Sequence, residues 1–302
     1  MYKSQSKRIL LEGAEMRKIL KNQYKRHDIF TCNHSAHHRF GGAVSTYYIL
    51  SEKKCYPEGC INFIWRCRLL NKGHACPKKY THVGRKCFSC KEYYEDKYCQ
   101  QPKLKVSDDE YREFLREKED FDHWVSQYNG REVEIDASVS TINPSLIMTN
   151  GGKRPKFRFN GWILVFDSVH VDYDLFDDTA FGWISQKTQD GLQLGRGTSF
   201  EARAKFNFER GRLRFNRIHN FDIKGAGIEP APDINEIMVA TQTASRFPVQ
   251  PDKCIHCPEG VLVDNVDFKK TRNGRRRNLV CLQGVKNPAE CIYHLSEILD
   301  SE

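Results

Sequence analysis

Hydrophobic and polar residues repeat with a helical period in two parts of the chain. Near the N-terminus, apolar residues separated by lysine and arginine recur about every 3.6 positions, which predicts an amphipathic helix over residues 5–24. A second helical pattern follows Ser107, which stands three residues before Glu110 as in a capping box. Its apolar positions are Tyr111, Phe114, Leu115, Phe121, Trp124 and Val125. We therefore expect a helix over residues 106–128 that bridges two modules.

Between residues 131 and 224 the period changes to two, which is the repeat of a β-strand. The clearest run is SFEARAKFNF (199–208), where Phe and Ala alternate with polar residues, as in a strand with one buried and one charged face. Similar strand signals lie at 133–139, 157–171 and 213–223, with glycine-containing turns between them. About five strands in roughly 95 residues predict a small barrel.

Composition and charge narrow the class of protein. A chain of 302 residues predicts two or three domains, and 12% aromatic residues permit packed cores. The formal net charge of +9 favours polyanionic partners, with nucleic acid first among them. The apolar run at residues 9–11 is too short for a secretory signal, and no run approaches the roughly 20 residues of a membrane helix. We expect a soluble cytoplasmic protein with no membrane association.

Twelve cysteines in an intracellular protein are expected to stay reduced, so short cysteine spacings indicate metal ligands or redox groups. Near the C-terminus, Cys254 and Cys257 form a Cys-x2-Cys pair, which can aim two thiolates at one ion. Strand-like residues 261–270 and 275–283 follow and flank the turn dipeptide Asn273-Gly274, which predicts a β-hairpin.

The second half of this C-terminal pattern supplies more ligands. Cys281 stands near the end of the returning strand, and Cys291 begins a predicted helix with Asn287 as its N-cap. A hairpin closed by cysteines resembles a zinc ribbon, although that family usually has Cys-x2-Cys as its second pair and here the spacing is Cys281-x9-Cys291. The resemblance implies a structural zinc ion held by Cys254, Cys257, Cys281 and Cys291, with His294 as an alternate ligand.

The tip of the predicted hairpin reads KKTRNGRRR and suits phosphate binding, because arginine offers bidentate donors and each neutralised phosphate releases counterions. Its basic residues are Lys269, Lys270, Arg272, Arg275, Arg276 and Arg277. A merely solvated loop would have the same composition.

The N-terminal cysteines predict one or two further metal sites in a module over residues 1–105. The pair Cys87-x2-Cys90 is the strongest nucleus, and Cys76 with Cys99 could complete its site. A second site could use Cys55, Cys60 and Cys67 with Cys32 or one of His34, His37, His38 and His74. Zinc accepts both Cys and His ligands, so the whole chain is predicted to bind two or three zinc ions. An iron–sulfur cluster in the N-terminal module is the alternative. Lys91, Lys97, Tyr93, Tyr94 and Tyr98 surround the last cysteines and suit phosphate contact and base stacking, or a small core.

The middle strands, with the segment FDDTAFGWIS (176–185), resemble an OB-fold barrel in strand number and length. The resemblance covers residues 129–226 and rests on pattern alone. It implies a groove in which bases stack on aromatic side chains while basic side chains follow the phosphates. The candidates there are Lys153, Arg154, Lys156, Arg158, Trp162, Arg203, Lys205, Arg212 and Arg214.

Two patterns raise the question of catalysis. Four aspartates in VDYDLFDD (171–178) could hold magnesium, and Cys32 with His34 could form a nucleophilic pair, but an acidic turn and a metal site are the simpler interpretations. We therefore expect an α+β protein of several modules: the metal-binding module, the bridging helix, the OB-like barrel, a linker over 227–250 and a zinc ribbon over 251–302. Its expected function is binding of single-stranded or structured RNA or DNA rather than catalysis. An iron–sulfur redox enzyme and a scaffold subunit that binds other proteins are the alternatives.

Overall fold

The computed structural model describes residues 18–34, 44–149, 156–247, 250–266 and 276–292. Within these ranges the protein is of the α+β class, with much β-sheet and few helices. The chain forms two compact units, which we call the sheet unit (Met1–Gln23 with Arg116–Glu302) and the cysteine-rich unit (Tyr24–Leu115). None of the described helices combines the length and apolar character needed to cross a membrane.

The described elements are numbered in chain order. The strands are β1 (Ile19–Leu20), β2 (Phe30–Thr31), β3 (Cys60–Cys67), β4 (Tyr93–Gln100), β5 (Lys103–Leu104), β6 (Glu132–Ser138), β7 (Thr141–Thr149), β8 (Lys156–Phe166), β9 (Val169–Val171), β10 (Asp174–Phe176), β11 (Ala180–Ile184), β12 (Gly195–Arg196), β13 (Ser199–Glu209), β14 (Arg212–Gly225), β15 (Glu229–Pro230), β16 (Ser245–Phe247), β17 (Gly260–Val266) and β18 (Arg276–Cys281). The α-helices are α1 (Arg68–Asn71), α2 (Asp108–Tyr128), α3 (Gln186–Leu192), α4 (Ile234–Ala240) and α5 (Asp252–Ile255).

In the described residues, the sheet unit is built on one large sheet of twelve strands. Its order is β1-β10-β9-β6-β13-β14-β11-β8-β7-β17-β18-β16. The edge strands β1 and β16 are not paired with each other, so the described strands form an open sheet and no closed barrel. The predicted OB-like barrel is therefore wrong as a closed barrel. The period-two pattern predicts strands but not closure, and the parallel pairs β1–β10 and β7–β17 extend the sheet at both ends instead.

The predicted alternation in β13 is confirmed. Phe200 and Phe206 are buried while Glu201 and Arg203 are exposed. Helix α2 covers the apolar face, where Trp124 packs edge-on against Phe206 with ring centroids 5.2 Å apart. The start of this helix also follows the prediction, because the backbone N–H of Ser107 donates to the Glu110 carboxylate at 2.8 Å and the N–H of Glu110 donates to Ser107 Oγ at 3.3 Å.

The N-terminal helix prediction is wrong where residues 5–24 are described. Ile19 and Leu20 form β1, which pairs in parallel with Leu175 and Phe176 of β10. Burial of Leu20 in the sheet outweighs the helical preference of this short segment, since tertiary pairing routinely overrides local propensity. Residues 5–17 lie outside the described residues.

The C-terminal hairpin prediction is confirmed at its base. Strands β17 and β18 are antiparallel, with Gly260 opposite Cys281, and β17 also pairs in parallel with β7. The basic tip over residues 267–275 lies outside the described part of the chain. Asn287 caps a 3₁₀ turn, Pro288–Glu290, by accepting from the Ala289 N–H at 3.1 Å, so Cys291 follows a short turn where the sequence predicted the start of a helix.

The described part of the cysteine-rich unit contains two small antiparallel sheets, β2–β5 and β3–β4. Its apolar core is formed by Ile29, Phe30, Cys32, Val44, Ile49, Cys55 and Phe114. The β3–β4 pair, which we call the ribbon, joins Cys60 to Gln100 at one end and Cys67 to Tyr93 at the other.

Candidate metal centres and nucleic-acid interface

The turn from Cys254 to Cys257 leads from α5 to β17 and is tightly packed. The N–H of Gly260 donates to the carbonyl of Cys257 at 2.9 Å, and a Cβ at Gly260 would lie 1.7 Å from the carbonyl oxygen of Cys254. Only glycine fits there. Since Gly260 pairs with Cys281, the register sets the turn beside the end of β18.

The C-terminal thiols lie within electrostatic reach of one another. Burial raises the pKa of Cys254 to about 11, and the neighbouring thiols of Cys257, Cys291 and Cys281 also raise it, whereas Lys253 lowers it. Burial likewise raises the pKa of Cys257. A bound cation would remove the cost of ionising thiols in this environment.

Polar side chains on β7 hold the cysteine turn in place. The buried amide of Asn143 lies with Nδ2 3.0 Å from the carbonyl oxygen of Gly260, 3.4 Å from that of Ile255 and 3.5 Å from that of Cys257. Thr141 donates its hydroxyl to the carbonyl of His256 at 2.7 Å. These bonds draw the turn's carbonyl groups toward β7. Sequence reasoning missed both residues, because polar residues also occur elsewhere in this strand, at Ser145 and Thr149, and nothing local distinguishes Thr141 and Asn143 from them.

His256, between the two cysteines of the turn, makes further contacts with connections between the strands. Its Nδ1 lies 2.9 Å from Asp167 Oδ1 and 3.3 Å from Ser140 Oγ, and its Nε2 lies 3.2 Å from Thr179 Oγ1. With both ring nitrogens near polar groups of these connections, His256 positions the turn. Sequence reasoning also missed this residue, because its partners are remote in the chain.

Replacing Asn143 by alanine is expected to destabilise the protein by about 2–3 kcal/mol, because three turn carbonyls lose a buried donor. Thermal unfolding followed by circular dichroism measures this. Asn71→Ala is the matched control, since the exposed Asn71 amide bonds only to the Tyr94 hydroxyl, at 2.7 Å, in the described hydrogen bonds. Equal shifts for the two variants would contradict the role given to Asn143.

Most of the N-terminal cysteines lie near one end or the other of the ribbon. Cys55 is buried with Cys32 and packs beside Cys60; its pKa is raised to about 12 by burial first and then by hydrogen bonding to Cys60. Cys87 and Cys90 form a turn just before β4, where the Cys90 N–H donates to the Cys87 carbonyl at 2.8 Å.

All twelve cysteines are described, and none forms a disulfide. In the described part of the chain, no three Cys, His, Asp or Glu side chains surround a common point suited to a metal ion. Zinc and iron–sulfur ligation at these cysteines therefore both stay predictions, as does ligation by His294, which lies outside the described residues.

The outer face of β13 carries mixed charge. Arg203 forms an ion pair with Glu134 of β6 at 3.0 Å, and Lys205 lies opposite Glu132 in the strand register. Lys224 of β14 similarly contacts Glu201 at 3.3 Å. Carboxylates thus accompany the basic residues of this face, which weakens its attraction for phosphate.

Three other arginines that the sequence predicted as nucleic-acid contacts lie against side chains of the protein itself. Arg277 binds Asp264 through two bonds of 2.9 Å, and the guanidinium of Arg212 lies 5.5 Å from the ring centroid of Phe181. Arg214 is mostly buried, and burial first, then the charge of Arg277, lowers its pKa to about 10. The tip residues Lys269, Lys270, Arg272 and Arg275 lie outside the described residues, and of Arg276 only the backbone is described.

The net charge of the protein is concentrated in one part of the cysteine-rich unit. Residues 53–105 contain thirteen Lys and Arg against four Asp and Glu, which equals the +9 of the whole chain, so the remainder is balanced. Twelve of these thirteen basic residues are exposed; the exception, Arg66, binds Asp96 at 2.8 Å. The signal was present in the sequence but is visible only when charge is counted by segment.

Aromatic side chains are exposed on the same segment. Phe63 is 52% exposed and lies opposite Lys97 in the ribbon register, and Tyr98 is 44% exposed. Trp65 is 40% exposed and contacts Phe88, with ring centroids 4.8 Å apart. One face of the ribbon therefore presents Phe63 beside Lys97, and the other presents Tyr98, whose hydroxyl accepts from Arg66 at 3.2 Å.

The aspartates of residues 171–178 have separate structural partners. Asp174 accepts from the Lys18 N–H and the Trp124 indole at 3.1 Å each, and Asp172 accepts from the Glu134 N–H at 2.9 Å. These contacts fit the interpretation of an acidic turn.

No family model, no curated protein and no solved structure matches this sequence.

Proposed function

We propose that the protein binds single-stranded or structured RNA or DNA through the ribbon and the adjacent basic residues of segment 53–105, with zinc supporting the fold. One observation carries this proposal: the segment 53–105, whose net charge equals that of the whole chain, also contains the ribbon with its exposed aromatic rings. Charge without rings would suit any polyanion, and rings without charge would suit a protein partner.

The two features supply complementary parts of the binding energy. Lys and Arg side chains neutralise phosphates and release counterions, which gives affinity that falls steeply with salt. Bases stack on Phe, Tyr and Trp side chains for about 1–3 kcal/mol each. Strands of eight residues extend about 24 Å, enough for several nucleotides. Because stacking needs accessible base faces, unpaired nucleotides are the preferred ligand.

The ribbon together with the adjacent basic residues replaces the face of β13 as the main proposed interface, because segment 53–105 as a whole carries thirteen basic against four acidic residues. On β13 the charges of Arg203 and Lys205 are accompanied by those of Glu134 and Glu132. The hairpin tip over residues 267–275 stays a prediction as a second contact.

Replacing Phe63 and Trp65 together by alanine is expected to weaken binding of a single-stranded oligonucleotide about tenfold or more while leaving the salt dependence unchanged, because stacking is lost and phosphate contacts are kept. Fluorescence anisotropy with the full chain measures both quantities. Tyr173→Ala removes an aromatic ring that is 68% exposed in the sheet unit and serves as the control.

The same titrations test the proposal as a whole. Wild-type protein should bind single strands more tightly than a duplex of the same sequence, and its affinity should fall with salt. Affinity that does not change with salt, or no binding to any oligonucleotide, would contradict the proposal and favour a scaffold that binds other proteins.

A further inference from the structure

The ribbon lacks an apolar core of its own. Ile61, Phe63 and Trp65 on one face and Ile64 and Tyr98 on the other are all exposed by 39% or more. An isolated two-stranded hairpin is at best marginally stable in water, and small modules without a core commonly depend on a metal ion. The cysteines flanking both strands are suited to that purpose.

Four cysteines gather near the end of the ribbon where β3 begins. Cys60 starts β3, and Cys99 lies opposite Ile61, one register position away. The Sγ of Cys99 lies 3.4 Å from the carbonyl oxygen of Glu58 and 3.0 Å from where a Cβ on Gly59 would be. The connection between Cys55 and Cys60 is closed by the Gly59 N–H, which donates to the Cys55 carbonyl at 2.7 Å. Cys32 is buried with Cys55 in the core to which Cys60 also packs.

Three other cysteines, Cys67, Cys87 and Cys90, lie at the opposite end, and the chain between them contains a fourth, Cys76. Cys67 ends β3 and pairs with Tyr93. The Tyr93 N–H donates to the carbonyl of Cys90 at 3.0 Å, so the Cys87–Cys90 turn lies directly before this end of β4. Cys76 lies in the segment that connects Cys67 to this turn. That segment folds back at its start, where the His74 N–H donates to the Leu69 carbonyl at 2.9 Å.

We propose that the ribbon is held by two tetrahedral zinc ions, one at each end. Cys32, Cys55, Cys60 and Cys99 bind the first, and Cys67, Cys76, Cys87 and Cys90 bind the second. Relative to the arrangement predicted from spacing, Cys99 and Cys67 exchange sites, because the antiparallel register puts Cys99 at the far end from Cys87 and Cys90.

The chemistry of each set fits zinc. Four thiolates at about 2.3 Å form a closed structural zinc site, and each proposed set supplies four. The register brings Cys60 and Cys99 to one end of the ribbon, and Cys67 and the Cys87–Cys90 turn to the other, so binding of the ions would require the sulfurs to move together from these positions. The two ions stand roughly 20–25 Å apart, as set by strands of eight residues. The proposal concerns how the ribbon is held and does not depend on what it binds.

Two double variants of the full chain distinguish the proposed sites from the spacing-based ones. Native mass spectrometry should count one zinc fewer than wild type in Cys76→Ser with Cys87→Ser, since both residues serve one ion. It should count two fewer in Cys99→Ser with Cys87→Ser. Loss of one zinc from both variants would support the spacing-based sites and overturn the proposal. Unchanged zinc, or iron with inorganic sulfide in the wild type, would also overturn it.

If a double variant unfolds the ribbon, the alkylation of each cysteine in single variants still distinguishes the two arrangements. In the single variant Cys99→Ser, alkylation followed by peptide mass spectrometry should find Cys32, Cys55 and Cys60 newly reactive while Cys67, Cys76, Cys87 and Cys90 stay protected. Cys76→Ser should give the reverse pattern. Exposure of Cys87 and Cys90 by Cys99→Ser, with Cys55 still protected, would contradict the proposed sites. Neither readout uses nucleic acid. If the protein failed to bind oligonucleotides, the proposed function would be contradicted, but the test of the two zinc sites would not change.

Discussion

Replacing Lys86, Lys91 and Lys97 together by glutamate is expected to lower the affinity for a single-stranded oligonucleotide about a hundredfold or more relative to wild type. The two proteins are compared at the same salt concentrations, between about 50 and 200 mM. All three side chains are exposed, and Lys97 lies beside Phe63 on the ribbon. Each phosphate contact to a single strand contributes about 0.7 to the slope of log affinity against log salt, so loss of three contacts should reduce that slope by about 2. Anisotropy titrations at several salt concentrations measure both effects.

The matched control reverses the same number of charges on the sheet unit. Replacing Arg203, Lys205 and Lys224 by glutamate changes the net charge by the same amount. These residues lie on a face where carboxylates already accompany them. This variant should lose much less affinity and keep most of the salt dependence. Equal losses in the two triple variants would show that only overall charge matters, and a larger loss in the control would return the interface to β13.

Replacing Cys254 by serine is expected to remove one zinc ion and to destabilise the C-terminal hairpin by several kcal/mol, because binding of a structural metal contributes directly to folding. Cys254 is 5% exposed and packs with Phe247, Leu262 and Leu279, so loss of the metal should loosen the hydrophobic cluster that covers β8 and β11. Metal analysis and hydrogen exchange of residues 250–266 and 276–292 measure the two effects.

Chelation separates the role of the metal from that of packing. A strong chelator should reproduce the exchange pattern of Cys254→Ser in the wild type and should add little further exchange in the variant. Full zinc content with unchanged exchange in Cys254→Ser would refute Cys254 as a ligand.

The sequence predicted the elements whose causes are local. The capping box of Ser107 and Glu110, the alternation of β13 and the base of the C-terminal hairpin depend on neighbouring residues, and all three are confirmed. The parallel pairs β1–β10 and β7–β17 join segments that are more than a hundred residues apart. No local pattern encodes such pairing, which is why an open sheet took the place of the predicted barrel.

Some residues of the candidate sites can likewise be recognised from local sequence, whereas others depend on contacts between distant parts of the chain. The Cys254-x2-Cys257 turn is recognisable from its spacing, but Asn143 and His256 gain their roles from contacts across more than seventy residues. Arg203 and Lys205 were expected on an exposed face, and they lie on one; the accompanying carboxylates come from β6, whose register is a tertiary property. The basic character of segment 53–105 was available in the sequence and was obscured by counting charge over the whole chain.

Ultraviolet cross-linking of the full chain to a single-stranded oligonucleotide, followed by peptide mass spectrometry, tests the proposed interface most directly. Cross-links are expected on ribbon aromatic residues, chiefly Phe63, Trp65 and Tyr98, and on Phe88 beside them. Their yield should fall in the Lys86, Lys91 and Lys97 variant. Cross-links confined to residues 129–226, or none at all under conditions where the oligonucleotide is bound, would contradict nucleic-acid binding by the ribbon.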